Sequence, residues 1–184
     1  QITQAIDFTA NIEGSVDGSL VFTGEATPQT DFLTARTGFV VLHPLNGVAG
    51  CALDIEHVDG TVEHATFPAL VDPVQPFLNI RALTHEVTSE GVPGLKAVVR
   101  MEGDTFEMED HRNWMDASYK TYVRPLARPW PYELKAGDTV RQQVSLTLMG
   151  TAPAAGASAS TSNAIEVTLG RETGDRIPAI GLGM

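Results

Sequence analysis

The sequence predicts an all-β protein, an antiparallel β-sandwich with few or no helices. Three observations carry that expectation. Short runs rich in Val, Ile, Thr, Phe and Tyr alternate apolar with polar residues, as half-buried strands do. Gly, Pro, Asp and Asn interrupt the chain between those runs. No apolar pattern with a helical period lasts long enough to build a helical layer, and no internal repeat is present. Many short strands with frequent turns are the pattern of a sandwich.

Residues 5–12 and 19–23 read as the first strands, punctuated by Gly14, Gly18 and Gly24. Residues 27–36 are the best candidate for a short helix, with a weak apolar face. Phe39 to Leu42 is a buried-type strand that runs into His43-Pro44. Residues 53–66, LDIEHVDGTVEHAT, predict a hairpin. Asp59-Gly60 suits a two-residue turn, in which both central positions need positive φ. That register sets His57 opposite Val62, Glu56 opposite Glu63 and Ile55 opposite His64. Opposed glutamates repel unless water or a cation separates them. A solvated outer face explains them more simply than a divalent ion held with Asp54. His57 and His64 then share the other face with Ile55 and Val62, as half-buried structural side chains or as metal ligands.

A proline-rich connector over residues 67–76 leads to two long strands, 78–88 and 95–103, joined by a turn at 89–94. Arg81 and His85 lie on one face of the first. Residues 133–138 make a turn, and 140–149 a strand with Val144, Leu146 and Leu148 on one face. The stretch 151–163, TAPAAGASASTSN, is a flexible low-complexity loop, and 164–169 returns as a strand. The expected organisation is a sandwich domain over residues 1–170. Residues 171–184 would be a linker into a missing following domain, because IPAIGLGM at 177–184 is apolar and unterminated.

Composition excludes several classes of function. A chain of 184 residues is long enough to bury a core. Its net charge of -11 argues against nucleic acid and anionic membranes as partners. No apolar run approaches the roughly 18–20 residues of a membrane span, and no basic region followed by an apolar one marks a signal peptide in the given sequence. The single cysteine, Cys51, permits no intrachain disulfide and reads as a packed thiol, which suits a cytoplasmic location. No nucleophile elbow, phosphate loop, dinucleotide fingerprint or paired metal-ligand motif occurs, so neither cofactor nor metal is expected.

Chemistry concentrates in residues 106–132, FEMEDHRNWMDASYKTYVRPLARPWPY, which hold both tryptophans, all three tyrosines and four of the twelve basic residues. Phe106 to Glu109 alternates apolar with acidic, and Ser118 to Arg124 alternates again. Paired antiparallel, they leave His111 to Ala117 as the loop and bring Lys120 and Arg124 across from Glu107 and Glu109. Two readings stay open. One is a polar floor for a small polyhydroxylated or carboxylate ligand, with Trp114 as an apolar wall. The other is a set of cross-strand ion pairs around a core tryptophan.

The string FEMEDHRNWMDASYKTYVRPLARPWPY resembles the N-terminal region of bacterial D-apionate lactonase-like proteins. The stretches ARTGFVVLHPLNGVAG and FPALVDPVQPFLNIRALTHEV are similar to the same family. The resemblance implies a supersandwich-type β domain, a following TIM-like barrel and a smaller β domain. It implies opening of the lactone of a branched-pentose acid in apiose catabolism, with a small sugar acid or lactone as ligand. Without the barrel, this piece alone would be inactive. His111 stands where glutamine is expected in relatives.

On this reading Glu107, Glu109, Asp110 and Asp116 are the candidate catalytic carboxylates. Arg112, Asn113, Trp114, Lys120, Tyr122 and Arg124 are the candidate substrate-binding residues. The alternatives are a non-catalytic carbohydrate-binding or scaffold module and a sugar epimerase-like sandwich.

Overall fold

Buried side chains alternate with less buried ones along several extended segments, most clearly over residues 52–56 and 96–102. The computed structural model describes residues 6–87 and 94–150. Twelve strands occur there: β1 (Ile6–Gly14), β2 (Leu20–Pro28), β3 (Phe32–Thr34), β4 (Val40–Pro44), β5 (Ala52–His57), β6 (Val62–Thr66), β7 (Phe77–Glu86), β8 (Lys96–Glu102), β9 (Phe106–Asp110), β10 (Ser118–Val123), β11 (Tyr132–Leu134) and β12 (Val140–Met149). Among the described residues the helical content is one 3-10 turn, His111–Trp114. All these residues fall in one compact unit, Gln1–Pro153.

Every described pairing is antiparallel. Ten strands form one sheet in the order β1-β2-β12-β8-β7-β9-β10-β4, with β5 and β6 branching from β7. The branch works because β7 is long. One β7 edge pairs with β9 at Phe77 and Ile80 and then with β8 from Ala82 to Glu86, and the opposite edge pairs with β5 from Ile80 to His85. A bulge separates Phe77 from Ile80, where Asn79 has a φ of 55°. β11 and β3 make a second, two-stranded sheet.

The large sheet curls on itself. Phe22 of β2, Val144 of β12 and Val41 of β4 all pack on one core, although β4 and β2 lie near opposite ends of the strand order. That core is built around Leu53, Ile55, Phe67, Ile80, Leu83, Met101, Phe106, Met108 and Tyr119. No ladder joins β4 to β2. Instead Gln142 of β12 accepts the Phe39 N–H at 2.9 Å and donates to the Thr37 carbonyl at 3.1 Å.

Several expectations need correction. Residues 27–36 are not helical. β2 continues through Thr27 and Pro28, and Phe32–Thr34 forms β3 against β11, so long-range ladders override a weak local helical pattern. The 53–66 hairpin forms, but one residue out of the expected register. Glu56 faces Val62, Ile55 faces Glu63 and Asp54 faces His64. The His57 N–H bonds to the Thr61 carbonyl at 2.8 Å, so the loop has three residues, with Gly60 at φ 86°. A type I turn closed by a left-handed glycine demands positive φ at Gly60 alone. The two glutamates are therefore not opposed. His57 and His64 lie on opposite faces and pair with Glu63 at 3.1 Å and Asp54 at 2.6 Å. The predicted turn at 89–94 falls mostly, and the loop at 151–163, the strand at 164–169 and the linker at 171–184 wholly, outside the described residues.

Candidate functional site

The central stretch folds as its alternation predicts. β9 pairs with β10, setting Lys120 opposite Glu109, Tyr122 opposite Glu107 and Tyr119 opposite Asp110. Odd-numbered Tyr119, Thr121 and Val123 turn toward the core with Met108 and Phe106. Glu107, Glu109, Lys120 and Tyr122 share the outer face. β10 also pairs with β4, placing Val40 and Leu42 beside Tyr122 and Lys120.

The loop between the strands is clamped. Asp110, fully buried, caps the 3-10 turn by accepting the Arg112 N–H at 3.1 Å. Its carboxylate also takes the Arg112 guanidinium at 2.8 and 2.6 Å and the Asp72 N–H at 2.9 Å. Burial would raise the Asp110 carboxyl, but the bonds from Arg112 and from the Asp72 and Arg112 amides outweigh it and hold it below the usual range. The guanidinium's other N–H groups reach the carbonyls of Ala69, Pro68 and Leu70 at 2.9, 2.9 and 3.0 Å. Asn113 Nδ2 donates to the Asp72 carbonyl at 2.7 Å. Trp114, expected as a wall or as core, is 71 % exposed at the tip.

On the outer face, charges pair in sequence. Lys120 contacts Glu109 as an ion pair. His111 Nε2 lies 4.0 Å from Glu109, and its Nδ1 lies 3.3 Å from Asp116 and 3.2 Å from the Ser118 hydroxyl. Glu107 is buried, accepting the Tyr122 hydroxyl at 2.5 Å and the Leu126 N–H at 2.8 Å. Burial raises the Tyr122 phenol well above its ordinary value, and the Glu107 carboxylate adds to the effect, so the phenol stays protonated and donates. Arg124 does not lie across from a glutamate. It pairs with Asp104 at 3.3 Å and stacks on Tyr132 at 4.0 Å. Arg128, on the same Asp104 at 2.6 Å, completes that cluster.

Glu109, Lys120 and Tyr122 come together in a recess of about 190 Å³, completed by Arg36, Gly38, Val40 and Val123. The Arg36 guanidinium lies 4.9 Å over the Tyr122 ring, and the Lys120 ammonium 5.5 Å from it. Lys120 is neutralised by Glu109. Arg36 makes only a 3.3 Å bond to the neighbouring Ala35 carbonyl and has no carboxylate partner among the described residues. Arg36 is therefore the cation of the recess that has no ion-pair partner within 4.0 Å among the described residues. Sequence reasoning missed Arg36 because it lay in the segment read as a helix. The signal was present: Arg36 belongs to the stretch ARTGFVVLHPLNGVAG, which carries part of the family resemblance. Asp110, Arg112 and Asn113 belong to the loop clamp, Glu107 is buried on the outer face against Tyr122, Arg124 belongs to the Asp104 cluster, and Asp116 and Trp114 to the exposed loop.

Among the described residues, no group of three or more His, Cys, Asp or Glu is placed to hold a metal ion. No helix there is long and apolar enough to cross a membrane.

Comparison with known proteins agrees with the central stretch. The family described as D-apionate lactonase, N-terminal domain, matches residues 1–151. The D-apionate lactonase of Brucella anthropi is 47% identical over 171 residues, which are 93% of this chain and 27% of that protein. The chain thus spans about a quarter of the length of the curated relative it matches. No solved structure matches it.

Proposed function

The chain belongs to the D-apionate lactonase N-terminal domain family, and from that premise we propose that it is the N-terminal β domain of a sugar-acid lactonase in carbohydrate catabolism. Its contribution in this reading is binding. The observation that carries it is the unpaired Arg36 guanidinium beside the Glu109–Lys120 pair, over the Tyr122 ring. Opening a lactone places negative charge on the carbonyl oxygen and leaves a carboxylate. A fixed cation in a partly dry recess favours both. Glu109 offers an acceptor and Lys120 a donor to the hydroxyls of a polyhydroxylated acid.

Glu107 and Asp110 are buried and committed to protein donors, so neither activates water here. Asp116 keeps a carboxylate that is 62% exposed. The bond-breaking groups belong, in this proposal, to the rest of a longer polypeptide, a following TIM-like barrel whose strand ends are the usual place for catalysis. The curled sheet is then the supersandwich-type domain of the family.

The test is hydrolysis of the lactone of apionic acid by the complete polypeptide, followed by proton release. Arg36→Ala should raise KM at least tenfold, about 1.4 kcal/mol of lost binding. Unchanged kinetics would take the recess off the substrate's path.

A further inference from the structure

We infer that the apolar tip formed by Leu70, Val71, Val74, Trp114 and Met115 is the surface on which the C-terminal remainder of the lactonase polypeptide docks. The inference rests on the family reading above and names the partner face that reading leaves open.

These five side chains come from two segments far apart in sequence that hydrogen bonds tie together. The connector backbone at Pro68, Ala69 and Leu70 is held by the Arg112 guanidinium, and at Asp72 by Asn113 and Asp110. Met115 sits just past the 3-10 turn at φ 67°, its N–H bonded back to the Arg112 carbonyl at 3.0 Å. The fold thus spends a buried ion pair and several carbonyl bonds to fix this loop pair. What it fixes outward is apolar: Leu70 is 86 %, Trp114 71 % and Met115 95 % exposed, with Val71 and Val74 also exposed.

A floppy loop could turn such groups inward. A braced one cannot, and contiguous apolar surface held in water marks an interaction site. Trp and Met are also enriched at interface centres. The occupant follows from length. The matched segment is 27% of the Brucella anthropi lactonase, so nearly three quarters of such a polypeptide lies outside it. Domains of one chain commonly bury several hundred Å² against each other.

The experiment is oxidative footprinting of the complete polypeptide with dilute peroxide and hydroxyl radicals, at concentrations where sedimentation shows a monomer. Met115 should oxidise at least tenfold more slowly than methionine in an unstructured peptide, and Trp114 should be protected relative to Trp130. Replacing Leu70→Asp and Met115→Lys together should restore oxidation of Trp114, while circular dichroism of the β sheet stays unchanged because both side chains point into solvent. Met115 oxidising at the free rate in the monomer would overturn the inference. So would protection found only above those concentrations, which would identify a second copy as the occupant. Lactone hydrolysis on the same samples separates the two readings. Protection without hydrolysis removes the activity and keeps the docking face, and hydrolysis without protection does the reverse.

Discussion

Removing the Arg112 side chain isolates the clamp from the rest of the molecule. Arg112→Ala leaves Asp110, with no exposed surface, without its cation, and strips donors from the carbonyls of Ala69 and Leu70. Pro68 keeps the Tyr119 hydroxyl at 2.5 Å, and Asp110 keeps the Asp72 and Arg112 amides. Breaking a buried pair by deleting one partner costs about 3–5 kcal/mol, and the surviving donors put this case near the lower end. A loss of about 3 kcal/mol lowers Tm by roughly 6–12 °C in a domain of this size. Urea unfolding read by far-ultraviolet circular dichroism measures it. Asp110→Asn made with Arg112→Ala should cost less than the sum of the single changes, by roughly 1–3 kcal/mol. The pH dependence has a definite sign. A carboxylate held below its ordinary value stabilises the fold above about pH 4 and loses that contribution as pH falls through the lower folded value. Arg112→Ala should therefore blunt the acid limb. A loss under about 1 kcal/mol, or strict additivity of the pair, would refute the clamp.

Three further changes probe other parts of the argument. His43 is buried against Thr121 at 2.9 Å, and burial, with His85 adding to it, lowers its pKa from 6.5 to about 4. Between those values only the unfolded chain binds the proton, so stability should fall as pH drops from 6.5 to 4, by about 3 kcal/mol in total. His43→Leu with Thr121→Val should flatten that slope in pH-resolved unfolding. Tyr122→Phe removes one of the donors to buried Glu107 and should cost about 1–3 kcal/mol in thermal unfolding. Gly38→Ala should be poorly tolerated, because φ is 142° and an added Cβ would fall 2.1 Å from the Gln142 amide. Unaltered stability in that variant would show that the 37–39 segment is not seated on Gln142.

What the sequence reveals here divides by range of interaction. Strict alternation in Phe106–Glu109 and Ser118–Val123 sufficed to place β9, β10 and the loop between them, since pleat and pairing are local. β12 matched its predicted span, residues 140–149. The Asp59-Gly60 pair announced a turn but not its length, and one extra loop residue moved every partner in the β5–β6 ladder. Thr27 to Arg36 lacked a pattern of its own, and its conformation is imposed by β1 and by β11, about 100 residues away. For the same reason Arg36 could not be assigned to the neighbourhood of Tyr122. That approach comes through the β4–β10 ladder, which sets Val40 beside Tyr122 across about 80 residues of chain, and no local window of sequence encodes it.

Gln142 gives the curl of the large sheet an unusual hinge line. Elsewhere the strands are stitched by ladders of main-chain bonds, but the margin carrying Thr37 and Phe39 is fastened by one carboxamide. The Arg36 recess borders this fastening through Gly38. A substitution at Gln142 therefore frees the 37–39 segment, and with it the Gly38 side of the recess, without unpicking any β-ladder.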